Sequence, residues 1–420
     1  MADPAHAVPP VTSPWRNPNL MILVSGQWVS QVGNNLFELA VYWYVLAATH
    51  HAADLGWVGT AMALPGVLGL VSGVFVDRMD RRWTMFGADV LRAALSALLG
   101  LLALLGLLPL GLFLVLVLLL MAVGTFFSPA ATALLPQIVP PEGLAAANGL
   151  NSSAQSSASL VGLFGGGVVM SLLGPVLLFF LNAASFVVSF VSLVFLRVPR
   201  SRPVRPAGGG IRALYDEWLE GFRIFAARPL LRTLVFAALF VNFAGQGLGV
   251  LAAAWVREAL HGGAFDYALF GAAITVGAIA GALWTGSVLR RIALERLLPL
   301  GTIAIGLVVV LLSRIPLLAV TLVCMLVAGV AMGLMNTALT TMMQRIVPQE
   351  KMGRVFGTLV ALLTMANPLG AAVAGLLAEV WTVAIIYLVL GCLILLGSLP
   401  LLRLGGASTQ AADGVGPTAG

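Results

Sequence analysis

The segment GVFVDRMDRR, Gly73 to Arg82, lies between two long apolar runs and carries two acidic and three basic side chains. Charges at this density stay outside the hydrocarbon core of a bilayer, because no water is present there to solvate them. The segment therefore predicts a short charged turn between two membrane-spanning helices. It also predicts on which side the connected helix ends lie, because basic loops stay on the cytoplasmic side.

The composition of the chain supports a membrane protein and excludes an ordinary soluble globule. Of the 420 residues, 60% are hydrophobic and 9% are charged, and the mean hydropathy is +1.03. A soluble domain carries roughly 25% charged residues. Spans of about 20 residues with short connections leave room for about twelve helices. Cys324 and Cys392 fall inside apolar runs, which indicates buried packing without a disulfide framework.

Apolar runs predict six helices on either side of a basic, proline- and glycine-rich break, PRSRPVRPAGGG. The predicted helices 1 to 12 cover residues 20–48, 56–76, 84–107, 110–135, 145–170, 175–197, 230–256, 266–289, 297–313, 316–342, 356–380 and 382–403. The expected organisation is a tail at 1–19, a six-helix half at 20–197, a linker at 198–229, a second half at 230–403 and a tail at 404–420. The linker is predicted to contain an amphipathic helix that lies along the membrane surface or packs on the ends of the bundle.

Basic residues predict that both tails and the linker are cytoplasmic. Of the 22 Lys and Arg residues, all except Arg92, Arg257 and Arg314 fall on the side of the tails and the linker. This bias follows the positive-inside rule. Lys351 is the only lysine, and the preference for arginine indicates a GC-rich, bacterial genome. We therefore expect a multi-pass protein of a bacterial inner (cytoplasmic) membrane.

The two halves are predicted to resemble each other, because a shift of 208 residues aligns them without a gap. The sequence IVPPE at Ile138–Glu142 falls on IVPQE at Ile346–Glu350, and Gly73 falls on Gly281. Matches in polar turns are informative in an apolar chain, because hydrophobicity does not require them. The predicted fold class is an all-α membrane protein with twelve transmembrane helices in two pseudo-symmetric six-helix halves.

Helix 1 carries a polar face through the membrane, with polar side chains at spacings of four, three and four residues from Gln27 to Glu38. The shift of 208 residues places Asn242 at the position of Asn34, and Gln246 at that of Glu38. Polar residues in a membrane usually face a cavity or the bundle interior, although amides also serve simply to join helices. The residues predicted to line a central substrate cavity are Gln27, Gln31, Asn34, Tyr42, Asn242 and Gln246.

Further polar and small residues in helices 5, 10 and 11 are interpreted as packing contacts. Small side chains let helices approach closely, and their hydroxyls bond to backbone groups. These residues are Asn148, Ser152, Gln155, Ser159, Gly162, Asn336, Thr340 and Asn367.

Glu38 is predicted to carry a coupling proton. A helix from Leu20 to Thr49 has its middle near Asn34. Glu38 then lies about 6 Å outward of the midplane at 1.5 Å per residue, too deep to reach water by snorkelling. Enclosure of the carboxyl favours its protonated form and opening to water favours its ionised form, which is the behaviour a proton antiporter needs. The alternative role of this acid is attraction of a cationic substrate.

The turn at Gly73 resembles the loop between helices 2 and 3 of major facilitator superfamily transporters. That family has a glycine, then Asp-Arg, then a basic pair, matched here by Gly73, Asp77, Arg78, Arg81 and Arg82. The resemblance implies two parallel halves with the substrate site between them near the midplane. It also implies a gating role, in which Asp77 lies against the positive start of helix 11 when the inner gate is closed.

Asp89 and Arg92 lie three residues apart in helix 3 and have two possible roles. They either neutralise each other as a local pair or join the charges of the turn in a cytoplasmic gating network. Both residues are therefore included in the predicted gate.

The sequence SGQWVSQVGNNLFELAVYWYVL in helix 1 and the IVPPE turn resemble the branch of that family with macrolide-efflux proteins and enterobactin exporters. The resemblance implies proton-driven export of a hydrophobic or amphipathic small molecule by alternating access. An importer or a lipid flippase of the same fold is the alternative, and a membrane-embedded enzyme is a minor one.

Direct use of ATP is not expected, because the chain has no Gly-Lys-Ser/Thr phosphate loop. The four histidines lie in tails or external turns without metal-ligand spacing. We expect a monomer that handles a small molecule and protons within membrane lipid, with no cofactor, no metal and no nucleic-acid partner.

Overall fold

The computed structural model describes residues 15, 17–76, 79–197, 219, 222–223, 225–226, 229–346 and 352–413. Twelve long helices make up nearly all of them. They are α1 (Pro18–Thr49), α2 (Ala52–Val76), α3 (Arg81–Leu104), α4 (Leu110–Ile138), α5 (Leu144–Leu173), α6 (Val176–Phe195), α7 (Pro229–Val250), α8 (Ala264–Val288), α9 (Leu294–Arg314), α10 (Leu318–Ile346), α11 (Met352–Ala378) and α12 (Val383–Asp413). A short 3₁₀ turn at Pro141–Gly143 precedes α5, and α7 is followed by a helical turn at Ala252–Ala254 and a π-helical turn at Trp255–Ala259.

Eleven of these helices, α2 to α12, contain segments long and apolar enough to cross a membrane, as judged over the described residues. Helix α1 is 32 residues long but less apolar, because Gln27, Gln31, Asn34, Asn35 and Glu38 interrupt it. It packs along α5 and α6 inside the bundle, so it crosses with its neighbours. The predicted twelve-helix membrane fold is confirmed.

Both six-helix halves are built on the same helix pairings. In the N-terminal half, α1 packs against α5 and α6, α3 against α4 and α6, and α2 against α4. In the C-terminal half, α7 packs against α11 and α12, α9 against α10 and α12, and α8 against α10. Each pairing recurs six helices later, as expected of two pseudo-symmetric halves. The halves meet mainly where α2 packs against α11 and α5 against α8.

The hydrophobic cores are distributed differently at the two ends of the bundle. We call the side where α1 begins and α12 ends the terminus side, and the opposite side the far side. Towards the far side a single core contains buried side chains from both halves, including Leu46, Trp255 and Tyr387. On the terminus side there are two cores, one around Leu20 in the N-terminal half and one around Leu231 in the C-terminal half. Among the residues that the structure describes, the halves thus share one core on the far side and have separate cores on the terminus side.

The charged turn between α2 and α3 is described in part. Asp80 caps α3, because its side chain accepts a hydrogen bond from the backbone N–H of Trp83 at 3.1 Å. Arg82 donates to the carbonyl oxygens of Leu193 and Val194 at the end of α6, both at 2.7 Å. The positive side chain thereby caps the negative end of that helix.

The structure describes only some of the other residues of the predicted gate. Arg81 donates to the carbonyl oxygen of Ala133 on α4 at 3.2 Å. Gly73 lies within α2. Asp77 and Arg78 lie outside the described residues.

Most of the linker also lies outside the described residues. Among those described, Phe225 is buried in the terminus-side core of the C-terminal half, whereas Phe222 is exposed. Near the C-terminus, α12 continues as a helix to Asp413, past the expected start of the tail at 404.

Candidate functional site

The polar face of α1 is turned inwards because the opposite side of the helix packs closely on α6. Side chains added at Gly26 and Gly33 would meet Ser192 and Ser185 of α6. Glycine at these positions lets the two helices approach, as small residues do at membrane helix interfaces. The amides of α1 are consequently directed away from α6 and into the bundle.

A cavity of about 230 Å³ lies within the N-terminal half between α1, α3, α4 and α5. It extends from the terminus-side ends of these helices to the middle of α1 and α3. Its lining residues are Leu23, Val24, Gln27, Ser30, Gln31, Asn34, Arg92, Phe127, Ser128, Ala131, Thr132, Leu135, Asn148, Asn151 and Gln155. Three of the predicted substrate-cavity residues, Gln27, Gln31 and Asn34, are thus brought together.

Three amides of α5 also line this cavity, namely Asn148, Asn151 and Gln155. The interpretation of Asn148 and Gln155 as packing residues is therefore incomplete. Spacings of three and four residues put these amides on one face, the same pattern that identified the polar face of α1. That spacing was the signal that could have found them. By contrast, Gly162 does serve packing, because a side chain there would meet Asn35 and the backbone of Val32.

Arg92 lies at the middle of α3 and at the inner end of the cavity. Its Nη2 donates a hydrogen bond of 2.8 Å to Oδ1 of Asn34, and its Nη1 lies 3.8 Å from Oδ1 of Asp89. The guanidinium also lies over the ring of Phe186, 4.0 Å from its centroid. The structure therefore places this arginine at the middle of α3 and against the polar face of α1.

The position of Arg92 bears on the predicted gating network. The side-chain contacts described for Arg82 are with α6 carbonyls, whereas those of Arg92 are with Asn34, Asp89 and Phe186. Asp89 and Arg92 form the local pair that sequence spacing allowed. In this conformation the two arginines belong to separate groups.

Glu38 is exposed even though it lies one turn beyond the middle of α1. Tyr42 lies one turn beyond Glu38 on the same face of α1, and Tyr267 of α8 stacks on the adjacent Trp43. Both tyrosines are nearly fully buried, so a packed layer lies on the far side of Glu38. Tyr267 was not identified from the sequence, since a single tyrosine near the start of an apolar helix carries no distinctive pattern.

An aromatic layer closes the bundle beyond Glu38. The rings of Trp43 on α1 and Tyr267 on α8 stack with centroids 5.9 Å apart, which joins the two halves. Within the C-terminal half, Trp255 stacks on Tyr387 at 5.0 Å, and the Tyr387 hydroxyl donates to the carbonyl of Leu248. These contacts make the far side of the interior apolar and tightly packed.

The two predicted cavity residues of α7 have a different environment. Asn242 is half-buried and donates to the carbonyl of Ala238 one turn earlier, at 2.9 Å. Gln246 is also half-buried. Neither residue lines the cavity in the N-terminal half. Tyr42 does not line this cavity either, because it is buried one turn beyond Glu38.

Arg257 connects the halves at the far side. It lies in the π-helical turn, and its Nη1 donates to the carbonyl of Leu46 at 3.1 Å while its Nη2 lies 3.3 Å from Nδ1 of His50. His50 ends α1 with a left-handed backbone, φ 59°, so the guanidinium is at the negative end of the α1 dipole. Burial raises the pKa of the adjacent Glu258 carboxyl, and Arg257 partly counteracts this shift.

No group of three or more His, Cys, Asp or Glu side chains that could hold a metal ion occurs in the described part of the chain. The cavity itself offers hydrogen-bonding amides and the Arg92 guanidinium, and the carboxyls of Asp89 and Glu38 lie outside its lining.

Comparison with known proteins places these features in a family. The family model described as Major Facilitator Superfamily matches residues 23–364. The chain is 28% identical over 412 residues to multidrug efflux pump Tap of Mycolicibacterium fortuitum, covering 94% of this chain and 96% of Tap. It is 24% identical over 366 residues to macrolide efflux protein A of Streptococcus pyogenes, covering 84% and 88%. A crystal structure of the nucleoside transporter NupG, in mutant form, superposes with a TM-score of 0.76 at 12% identity, over 92% of this chain and 99% of that one.

Proposed function

Because the chain belongs to the Major Facilitator Superfamily, we propose that it exports a hydrophobic or amphipathic small molecule in exchange for protons. The observation that carries this proposal is the position of Glu38, a carboxyl one turn beyond the middle of α1 that is exposed while its neighbours Phe37 and Leu39 are buried. Export is supported by the two relatives, both of which are named as efflux proteins. Membership in the family makes the protein a membrane transporter. Our proposal concerns its substrate class, the direction of transport and the coupling ion.

The distribution of the hydrophobic cores supports loading from the terminus side. The halves share one core towards the far side and have separate cores on the terminus side. With the tails in the cytoplasm, as the basic residues predict, this conformation is open to the cytoplasm and closed to the outside. An exporter collects its substrate in such a state.

Glu38 is positioned to couple protons to this cycle. It lies one turn before Tyr42 on α1, at the aromatic layer that closes the far side. While the interior is closed on both sides, the carboxyl is enclosed and its neutral form is favoured; opening of the interior to water on either side lets it exchange its proton. A proton taken up from outside is then released only after the opposite opening, which is the requirement for antiport.

The test is transport into inside-out vesicles with an imposed pH gradient, using a panel of fluorescent dyes and antibiotics. We expect gradient-driven accumulation with the unaltered protein. Glu38→Gln should lose it while keeping downhill exchange, because the amide keeps size and hydrogen bonding but cannot titrate. Glu38→Asp is the matched control and should retain coupling. Normal gradient-driven accumulation in Glu38→Gln would remove Glu38 from the mechanism, and no proton-linked flux for any compound would refute antiport.

A further inference from the structure

We propose that the cavity ending on Arg92, here called the Arg92 cavity, binds an anionic head group such as a carboxylate or sulfonate on the transported amphipath. This proposal rests on the proposed function in one respect, namely that the ligand of the cavity is the transported molecule. It adds the chemical class of that molecule's polar end. The cavity and its walls are those described above.

The charge that faces the cavity is positive. Arg92 is the one ionisable residue among its lining residues, and its side chain is 8% exposed. The partly neutralising Asp89 is fully buried and does not line the cavity. At 3.8 Å the two groups are also farther apart than in a hydrogen-bonded ion pair. A ligand entering from the terminus side therefore meets the guanidinium and not the carboxylate.

The hydrogen-bonding groups of Arg92 are only partly used. Its Nη2 donates to Asn34, whereas its Nε is buried without a hydrogen-bond partner. Leaving a buried charged donor unpaired is costly. Guanidinium can only donate, and it binds planar carboxylates or related oxyanions through two parallel hydrogen bonds. Neither carboxylate oxygen of the neighbouring Asp89 accepts a hydrogen bond from Arg92, so the guanidinium keeps donor capacity for an oxyanion that enters the cavity.

Asn34 adds a further donor to the same end of the cavity. Its Oδ1 accepts from Arg92, and because arginine has no acceptor this orientation of the amide is fixed. The amide NH₂ of Asn34 is consequently left for another acceptor. Amides of α1 and α5, including Gln31 and Gln155, line the walls and can complete the coordination of an oxyanion.

The size of the cavity limits what it can hold. Sites for whole drug-sized ligands measure about 300–1,000 Å³, whereas this cavity measures about 230 Å³. It fits a polar head group with a small attached ring, and the rest of an amphipath would extend into the space between the halves.

The charge of the cavity can be tested by comparing the modification rates of cysteines introduced at matching positions of the two halves. Thr132 lines it, and Thr340 is its counterpart 208 residues later; each hydroxyl donates to the carbonyl four residues earlier. The counterpart of Arg92 is Leu300. In a Cys324→Ala, Cys392→Ala background, Thr132→Cys and Thr340→Cys are modified by anionic sulfonatoethyl methanethiosulfonate and by its cationic trimethylammonioethyl analogue.

We expect the anionic-to-cationic rate ratio to be on the order of tenfold higher at Thr132→Cys than at Thr340→Cys, because a nearby positive charge attracts one reagent and repels the other. Arg92→Gln should lower the ratio at Thr132→Cys, and Arg92→Lys should keep it; Arg81, which donates to the carbonyl of the adjacent Ala133, is the same in every variant. An unchanged ratio in Arg92→Gln would overturn the proposal. Equal ratios at the two sites in the protein with Arg92 intact would overturn the proposal, and this comparison does not depend on whether Arg92→Gln folds.

Protection from modification tests binding itself. The uncharged reagent N-ethylmaleimide is applied to Thr132→Cys in the presence of benzenesulfonate, benzyl alcohol or benzyltrimethylammonium, which share one ring. Benzenesulfonate should slow modification at least about threefold more than the other two, through an additional charge-assisted hydrogen bond, and only while residue 92 is basic. Equal protection by all three, or protection that survives Arg92→Gln, would overturn the proposal. Neither assay requires a pH gradient, so failure here is distinct from failure of proton antiport.

Discussion

The two halves share their helix pairings but differ in the side chains those pairings carry. At positions 208 residues apart, Glu38 is matched by Gln246, Arg92 by Leu300 and Asp77 by Thr285. The charges of Glu38 and Arg92 therefore have no counterpart at the matching positions of the C-terminal half. That half keeps one amide, Asn242 at the position of Asn34, and has the apolar Val235 and Leu239 at the positions of Gln27 and Gln31.

Close helix packing, in contrast, is more pronounced in the C-terminal half. In the C-terminal half, side chains added at Gly277 and Gly281 of α8 would meet the backbone of α10, and additions at Gly329 and Gly333 of α10 would meet that of α8. In the N-terminal half the positions of Gly329 and Gly333 hold Met121 and Thr125. The α8–α10 pair of the C-terminal half is thus packed more closely than the matching α2–α4 pair, while the polar cavity lies in the N-terminal half.

The largest effect is expected when the acid is transferred between halves. Glu38→Gln combined with Gln246→Glu should leave gradient-driven accumulation at the level of vesicles without the protein. Gln246 is half-buried beside Gly247, which packs against α11 and α12 of its own half, so an acid there would not change its exposure as the halves separate. Recovery of proton-driven transport in the double variant would mean that the halves are interchangeable.

A second prediction uses matched glycines of α8 and α2. A methyl group on Gly277 would meet the carbonyl oxygen of Leu326 and lie 2.9 Å from the nitrogen of Val330, whereas one on Gly69 would lie 3.4 Å from Cβ of Thr125. Gly277→Ala should lower the free energy of unfolding by about 1–3 kcal/mol, the usual cost of overpacking. Gly69→Ala, the matched control, should cost little. Denaturation in mixed dodecyl maltoside and dodecyl sulfate micelles measures both, and equal losses would contradict the assigned difference in packing.

Asp77 provides a third test, since Thr285 replaces it in the other half. If the carboxylate stabilises the closed inner gate at the start of α11, Asp77→Asn should slow transport. A charge at a helix start contributes about 0.3–2 kcal/mol, which corresponds to a roughly twofold to thirtyfold change in the equilibrium between the closed and open gate. Asp80→Asn, which removes a charge from the same turn but can still cap α3, should have little effect. Unchanged flux in Asp77→Asn with normal expression would leave it a topological role only.

The smallest effect is expected at the far-side contact of Arg257. Arg257→Gln should weaken the link to Leu46 and His50 by about 0.5–1 kcal/mol, as for a partly exposed charged contact. A cysteine at Thr60, which lies between α2 and α11, should then react about twofold to fivefold faster with an impermeant maleimide from the far side. Arg314→Gln, an exposed far-side arginine, is the control. Equal changes in both variants would show a general charge effect and no specific link.

Much of the fold could be predicted from the sequence, because its determinants are local. The apolar runs set the helices, and the charged turn after Val76 ends α2 and begins α3. The repeat at 208 residues predicted halves that the helix pairings then showed. The spacing of polar residues in α1 predicted which of its faces is turned inwards, since that face depends only on the helical period.

The composition of the candidate site was decided by the tertiary structure. The Arg92 cavity joins α1, α3, α4 and α5, and which side chains meet there depends on how each helix is rotated and how deeply it lies. Arg92 thus contacts Asn34 at 2.8 Å across 58 residues of chain, although sequence spacing linked it only to Asp89. The far-side closure likewise depends on contacts between halves, such as that of Arg257 with Leu46. A hydrophobic pattern fixes which residues lie in the membrane, but in an apolar medium it says little about which of them touch, because lipid and protein solvate apolar surfaces alike.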